Sequence, residues 1–128
     1  MSHGYVFFEI HAENVKRAVE FYQTVFDWKF NLQPNLPIEY YDIETGGSRG
    51  GLLQRPAQTP PLGQGLNAFA CSLEVENFDA IAEKIMQSGG QVALEKFPVP
   101  GRCWQGYFID TEGNTFGIFE VDEKAGLV

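Results

Sequence analysis

The chain has 128 residues, 44% of them hydrophobic, and a formal net charge of −8 at pH 7. That length suits one compact domain, and the acidity, with Lys and Arg scattered, excludes nucleic acid as a partner because a polyanion rewards clustered cations. No stretch approaches the ~18 apolar residues of a membrane span, and MSHGYVFFEI lacks a basic region ahead of a long apolar run, so a soluble, cytoplasmic protein without a membrane partner is expected. Cys71 and Cys103 are too few and too unpatterned for a disulfide framework or a zinc site and read as small buried thiols.

Taken in chain order, YVFFEIHA is a first strand, whose alternation puts Phe7, Glu9 and His11 on one face. The run NVKRAVEFYQTVFDW then predicts an amphipathic helix capped by Asn14, with Val15, Ala18, Val19, Tyr22 and Phe26 as its apolar stripe. Its aromatic residues read as packing rather than as a ligand box. IEYYDIE and GGLLQ follow as strands around TGGSR. The run GGSRGG does not make a phosphate loop, which needs Lys-Ser or Lys-Thr and a following helix. The Pro- and Gly-rich QRPAQTPPLGQGLN is a connector. Next come a strand in AFACSLEV, with Ala70, Ser72 and Glu74 on one face, and a helix in NFDAIAEKIMQSGG. That helix has Asn77 as cap, Phe78, Ile81, Ala82 and Ile85 as stripe, and Gly89 and Gly90 as stop. Finally YFIDTEGNTFGIFE is a hairpin in which Gly113 or Asn114 takes the left-handed turn position.

The segments AENVKRAVEFY and VENFDAIAEKI align without a gap at an offset of 63. The chain is therefore an internal repeat, each unit being strand, helix and several strands, which gives an α+β fold of two βαβββ modules in tandem. Module one covers 4–54, the connector 55–67 and module two 68–122, all within a single domain, 1–128.

With RAVEFYQTVFDWKF behind a first strand, FDAIAEKIMQSGGQV at mid-chain and FIDTEGNTFGIFE near the end, the chain resembles the vicinal oxygen chelate superfamily of glyoxalase I, bleomycin-resistance proteins and extradiol dioxygenases. Asp27 stands where the family usually has Gly at the end of the first helix, and Asp tolerates the left-handed geometry. The resemblance implies that the half-sheets form one cupped mixed sheet around a ligand. In metal-dependent members it implies four ligands, one on the first strand and one on a late strand of each module. Here those positions fall on Phe7, Ala70, Gly117 and one residue within Gly51 to Gln54, where only Gln54 offers a ligand atom. Phe, Ala and Gly supply no lone pair, and one amide oxygen does not hold zinc or iron. No metal and no other cofactor is therefore expected. Gly117 either leaves room for a ligand or lets a neighbouring side chain pack over it.

Glu9 and His11 are the acid–base candidates, as each can exchange a proton near neutrality when its surroundings adjust it; a satisfied polar pair is the plainer alternative. Trp104 and Tyr107 border the cleft by resemblance, but an odd spacing on one strand turns them to opposite sides. Tyr40 and Tyr41 carry the same ambiguity, Arg49 and Arg102 are loop residues, and His3 is near-terminal. The candidate ligand-binding set is Phe7, Glu9, His11, Gln54, Ala70, Glu74, Trp104 and Gly117, with no Lys or Arg expected on the inward faces. Three functions fit. The first is a metal-free protein binding a small molecule in the cup. The second is a metal-free lyase or isomerase using Glu9 or His11, and the third a metal-dependent glyoxalase or dioxygenase. The resemblance also implies a homodimer, in which a second chain completes the exposed edges and faces of the two repeated units.

Overall fold

A computed structural model describes residues 7–56 and 69–127. The chain divides into two compact units, Met1–Gln58 and Thr59–Val128, and each holds one helix and one four-stranded sheet, an α+β arrangement of two tandem modules. His3 and most of the connector, 57–67, lie outside the described residues.

In the first unit β1 (Phe8–Ala12) leads into α1 (Val15–Phe26), followed by β2 (Lys29–Leu32), β3 (Tyr40–Glu44) and β4 (Arg49–Gln54). The sheet order is β1-β4-β3-β2, with β1 and β4 parallel and the other pairs antiparallel. The Asn14 side chain accepts from the Arg17 N–H at 3.1 Å and caps α1, while Asp27 closes it in the left-handed conformation at φ 62°. The buried stripe is Val15, Ala18, Phe21, Tyr22 and Val25, so the face turns away from the expected Val19 and Phe26 and towards Phe21 and Val25. Trp28 stacks on Tyr22 (5.4 Å, 4° between planes) and on Phe26 (5.3 Å), closing the end of the helix with rings that pack on each other. The helix-side face of the sheet carries Ile10, Ile43 and Leu52, the last two with no exposed surface. TGGSR is a hairpin turn, in which the Thr45 hydroxyl donates to the Ser48 carbonyl at 2.5 Å and accepts from the Gly47 N–H.

In the second unit β5 (Ser72–Glu74) precedes α2 (Phe78–Gln87), β6 (Gln91–Val99), β7 (Cys103–Ile109) and β8 (Thr115–Val121), in the order β5-β8-β7-β6. Asn77 caps α2 by accepting from the Ala80 N–H, and the Glu120 carboxylate adds a second cap by accepting from the Phe78 N–H at 2.7 Å. Phe78 and Ile85 are buried, whereas Ile81 and Ala82 of the expected stripe are only half-buried. At the hairpin between β7 and β8 the Asp110 carboxylate accepts from the backbone N–H groups of Glu112 and Asn114, and Gly113 takes the left-handed position at φ 82°. Two expectations fail here. The second first-strand is only three residues long, so Ala70 lies outside it and is exposed. The two free thiols are not buried either, Cys71 being exposed and Cys103 half-exposed.

Candidate functional site

Strand pairing decides which residues share a face, because directly opposed residues point the same way and alternate residues along a strand do too. In the first unit Glu9 opposes Gly51, which opposes Asp42, and His11 opposes Leu53, which opposes Tyr40. Glu9, His11, Tyr40, Asp42, Gly51 and Leu53 therefore lie on the sheet face turned away from α1. The His11 Nε2 is 3.2 Å from a Glu9 carboxylate oxygen, with the side chains 38% and 44% exposed. A contact this open to water contributes little to stability.

Tyr40 is the residue that sequence reasoning left undecided. Its phenol lies across Gly51: a Cβ there would meet the Tyr40 hydroxyl and stand 2.5 Å from Cζ. Burial, then the carboxylates of Glu9 and Asp42, pushes its pKa above the ordinary 10.0, so the phenol stays protonated and able to donate. The signal was present in sequence as a tyrosine at alternate spacing from Asp42, but only the strand register, set across the TGGSR turn, brings it over Gly51 and beside Glu9. Tyr41 faces the helix side, edge-on to Phe30 at 6.5 Å.

Two expectations about this face are corrected. Gln54 opposes Ala12, on the helix side, and its amide donates to the Glu13 carbonyl at 3.0 Å, so it is not brought together with Glu9 and His11. The face is not free of cations: Lys29 opposes Glu44, which opposes Arg49, all on the same side as Glu9. These cations are confined to the row holding Glu44. The row around Gly51 has carboxylates, the Tyr40 phenol and the Asn31 amide, which donates to Glu44 at 2.8 Å. Phe7, just ahead of β1, is 47% exposed.

In the second unit Ser72 opposes Gly117, which opposes Tyr107, and Glu74 opposes Phe119, which opposes Gln105. The space over Gly117 is filled by polar side chains. A Cβ would meet the Ser72 hydroxyl, stand 2.6 Å from Gln105 Nε2 and 3.1 Å from Tyr107 Cε1, and the Gln105 amide donates to Ser72 Oγ at 3.1 Å. Phe97 stacks on Tyr107 on this face at 6.4 Å. Trp104 does not join them. It opposes Glu120 on the helix side, donates its indole N–H to Asp122 at 3.0 Å and lies under the Lys96 ammonium at 5.0 Å. Arg102 is exposed in the turn before β7. Glu74 lines a shallow groove of about 450 Å³ with Val75, Glu76, Glu120 and Val121.

Register also settles the unresolved fourth position. Glu9 and Ser72 are equivalent at the offset of 63, and they oppose Gly51 and Gly117 respectively, so the counterpart of Gly117 in the first module is Gly51. Phe7, Gly51, Ala70 and Gly117 offer no donor atom, and this set does not fit a divalent metal. Among the described residues no group of three or more His, Cys, Asp or Glu side chains is placed to hold one. Among them too, no helix is long and apolar enough to cross a membrane.

Comparison with known proteins agrees with this architecture. Residues 5–46 match the family model of the bleomycin resistance protein-like N-terminal region. A glyoxylase-like domain-containing protein from Didymella fabae is 28% identical over 86% of this chain and 88% of its own. A glyoxalase/bleomycin resistance protein/dioxygenase family enzyme from Burkholderia phytofirmans superposes with a TM-score of 0.73 at 19% identity, covering 90% of this chain and 97% of the enzyme. A variant of the fosfomycin resistance protein FosX from Listeria monocytogenes, solved with Mn(II) and 1S,2S-dihydroxypropylphosphonic acid, superposes with a TM-score of 0.75 at 12% identity, covering 95% of each chain. The chain has the fold of the vicinal oxygen chelate proteins. Residues 5–46 are similar to the bleomycin resistance protein-like N-terminal region, and the Didymella fabae relative is a glyoxylase-like domain-containing protein.

Proposed function

We propose that the protein binds a small molecule without a metal ion, on the sheet face of the first module that carries Glu9, His11, Tyr40 and Asp42. The observation that carries this reading is that constellation itself: two carboxylates, an imidazole and a protonated phenol lie half-open on one face, while position 51 brings no metal donor. Polar groups that fix a ligand's orientation on a partly apolar surface are the usual make-up of a small-molecule site. The row around Gly51 is anionic, so the favoured ligand is neutral or cationic and partly aromatic, with the Tyr40 ring as its stacking partner.

The Glu9–His11 contact of 3.2 Å favours one second reading, a metal-free lyase or isomerase in which this pair moves a proton beside a ligand carbonyl. A homodimer is part of the proposal and is checked by light scattering, where a monomer at every accessible concentration would remove it. The deciding experiment is a thermal-shift screen of the purified protein against a metabolite panel above neutral pH, with and without added divalent metal, alongside elemental analysis. Neutral or cationic ligands that raise Tm without metal, weakened by Glu9→Gln, are the expected result. One tightly bound transition metal per chain, or tightest binding by anions with Glu9→Gln neutral or improved, would overturn the reading.

A further inference from the structure

The two modules share a detail that neither composition nor motif displays. Each has a glycine on the strand parallel to its first strand, opposing equivalent residues, Glu9 and Ser72. Each glycine is covered by a side chain from the neighbouring antiparallel strand, and from the same place on it. Tyr40 opposes Leu53, two residues beyond Gly51; Gln105 opposes Phe119, two residues beyond Gly117. Neither glycine has a left-handed backbone, so conformation does not demand glycine at either point. Contact does. Non-bonded carbon atoms rest at about 3.5–4.0 Å, and the Cβ that any other residue would bring stands 2.5 Å from Tyr40 Cζ at position 51 and 2.6 Å from Gln105 Nε2 at position 117.

We propose that Tyr40 and Gln105 stand in for the missing metal-ligand side chains, each occupying the volume that a donor at position 51 or 117 would need. Restoring a carboxylate or imidazole at position 51 alone would drive its stem into the phenol. In the second module the cover is itself bound, Gln105 donating to Ser72 Oγ and, at 3.4 Å, to the Gly106 carbonyl, which fixes it over Gly117. The inference rests on the metal-free reading above, and its test separates the two.

The test is a double-mutant cycle on the whole chain, Gly51→Ala with Tyr40→Ala, read by thermal unfolding, together with Co(II) titration of the unmutated protein. Gly51→Ala alone is expected to lower Tm by roughly 2–5 °C, because its Cβ must displace the half-buried phenol, and to lower it little or not at all in the Tyr40→Ala background. If Gly51→Ala alone fails to fold and the double variant folds, that rescue carries the same meaning. An equal drop in both backgrounds, with no Co(II) taken up, would overturn the stand-in and leave the metal-free function intact. One equivalent of Co(II) bound with a rise in Tm would overturn both.

Discussion

The two modules hide the same kind of surface and show different ones. On the helix side each packs a fully buried isoleucine, Ile43 in the first and Ile118 in the second, against an Asn-capped helix. On the other side the first module carries Glu9, His11, Tyr40 and Asp42 around its glycine, and the second Ser72, Gln105 and Tyr107 around its own. Equivalent positions thus hold an ionisable pair in one half, Glu9 and His11, and Ser72 and Glu74 in the other. A repeated fold constrains the face that must be buried and leaves the opposite face free to diverge.

The largest expected effect tests the hidden half of that comparison. Ile43→Ala and Ile118→Ala each remove a fully buried side chain and are expected to cost about 2–5 kcal/mol apiece, measured by chemical denaturation. A cost under ~1 kcal/mol for either would mean that the two cores are not alike.

The helix caps give a smaller, asymmetric effect. Asn14→Ala leaves α1 with no acidic residue in its first turn to take over, whereas Asn77→Ala leaves α2 with Asp79 there and with Glu120 accepting from the Phe78 N–H. The first substitution should cost about 1–2 kcal/mol and the second about half of that. Equal losses would show that Glu120 does not act as a second cap.

A pH effect separates the open faces. Because Tyr40 is more reluctant to ionise in the folded chain than in the unfolded one, the folded state retains its proton over a window where the unfolded state has lost it. Its contribution is fully present below pH 10.0 and is lost as pH rises through the higher folded value. Tyr40→Phe should flatten the fall in stability above pH 10.0, and Glu9→Gln should flatten it in part, since Glu9 is second to burial as a cause. An alkaline unfolding curve unchanged by Tyr40→Phe would place the phenol away from Glu9 and Asp42.

Much of the architecture was legible in the sequence, because caps and periodicity are local. Asn14 and Asn77 before apolar stripes, Asp27 at a helix end and the DTEGN turn each declare themselves within a few residues, and the offset of 63 ties the modules together. What was not legible depended on register across turns. Which of Gly51 to Gln54 answers Gly117 is fixed by pairing with β1, 42 residues away from Gly51 along the chain. The same dependence explains why Gln54 and Trp104 were expected on the wrong face: a shift of one residue in a strand turns every side chain over. The buried stripe of α1 holds Phe21 and Val25 in place of Val19 and Phe26, because apolar spacing alone does not fix the centre of a broad apolar face.

The smallest expected effect is the one that most directly tests whether the first module's polar face is open. Glu9 and His11 are in contact at 3.2 Å, yet each side chain is more than a third exposed. In water such a pair gains little from Coulomb attraction, which is screened, and loses side-chain freedom in forming. Glu9→Gln keeps the shape and the hydrogen-bonding oxygen and removes only the charge, so it should change stability by less than ~1 kcal/mol near neutrality, with added salt making little further difference. A loss of several kcal/mol would mean that Glu9 is shielded from solvent in the folded protein. The pair would then be a structural element of a closed face, and the same substitution could no longer be read as a probe of ligand binding.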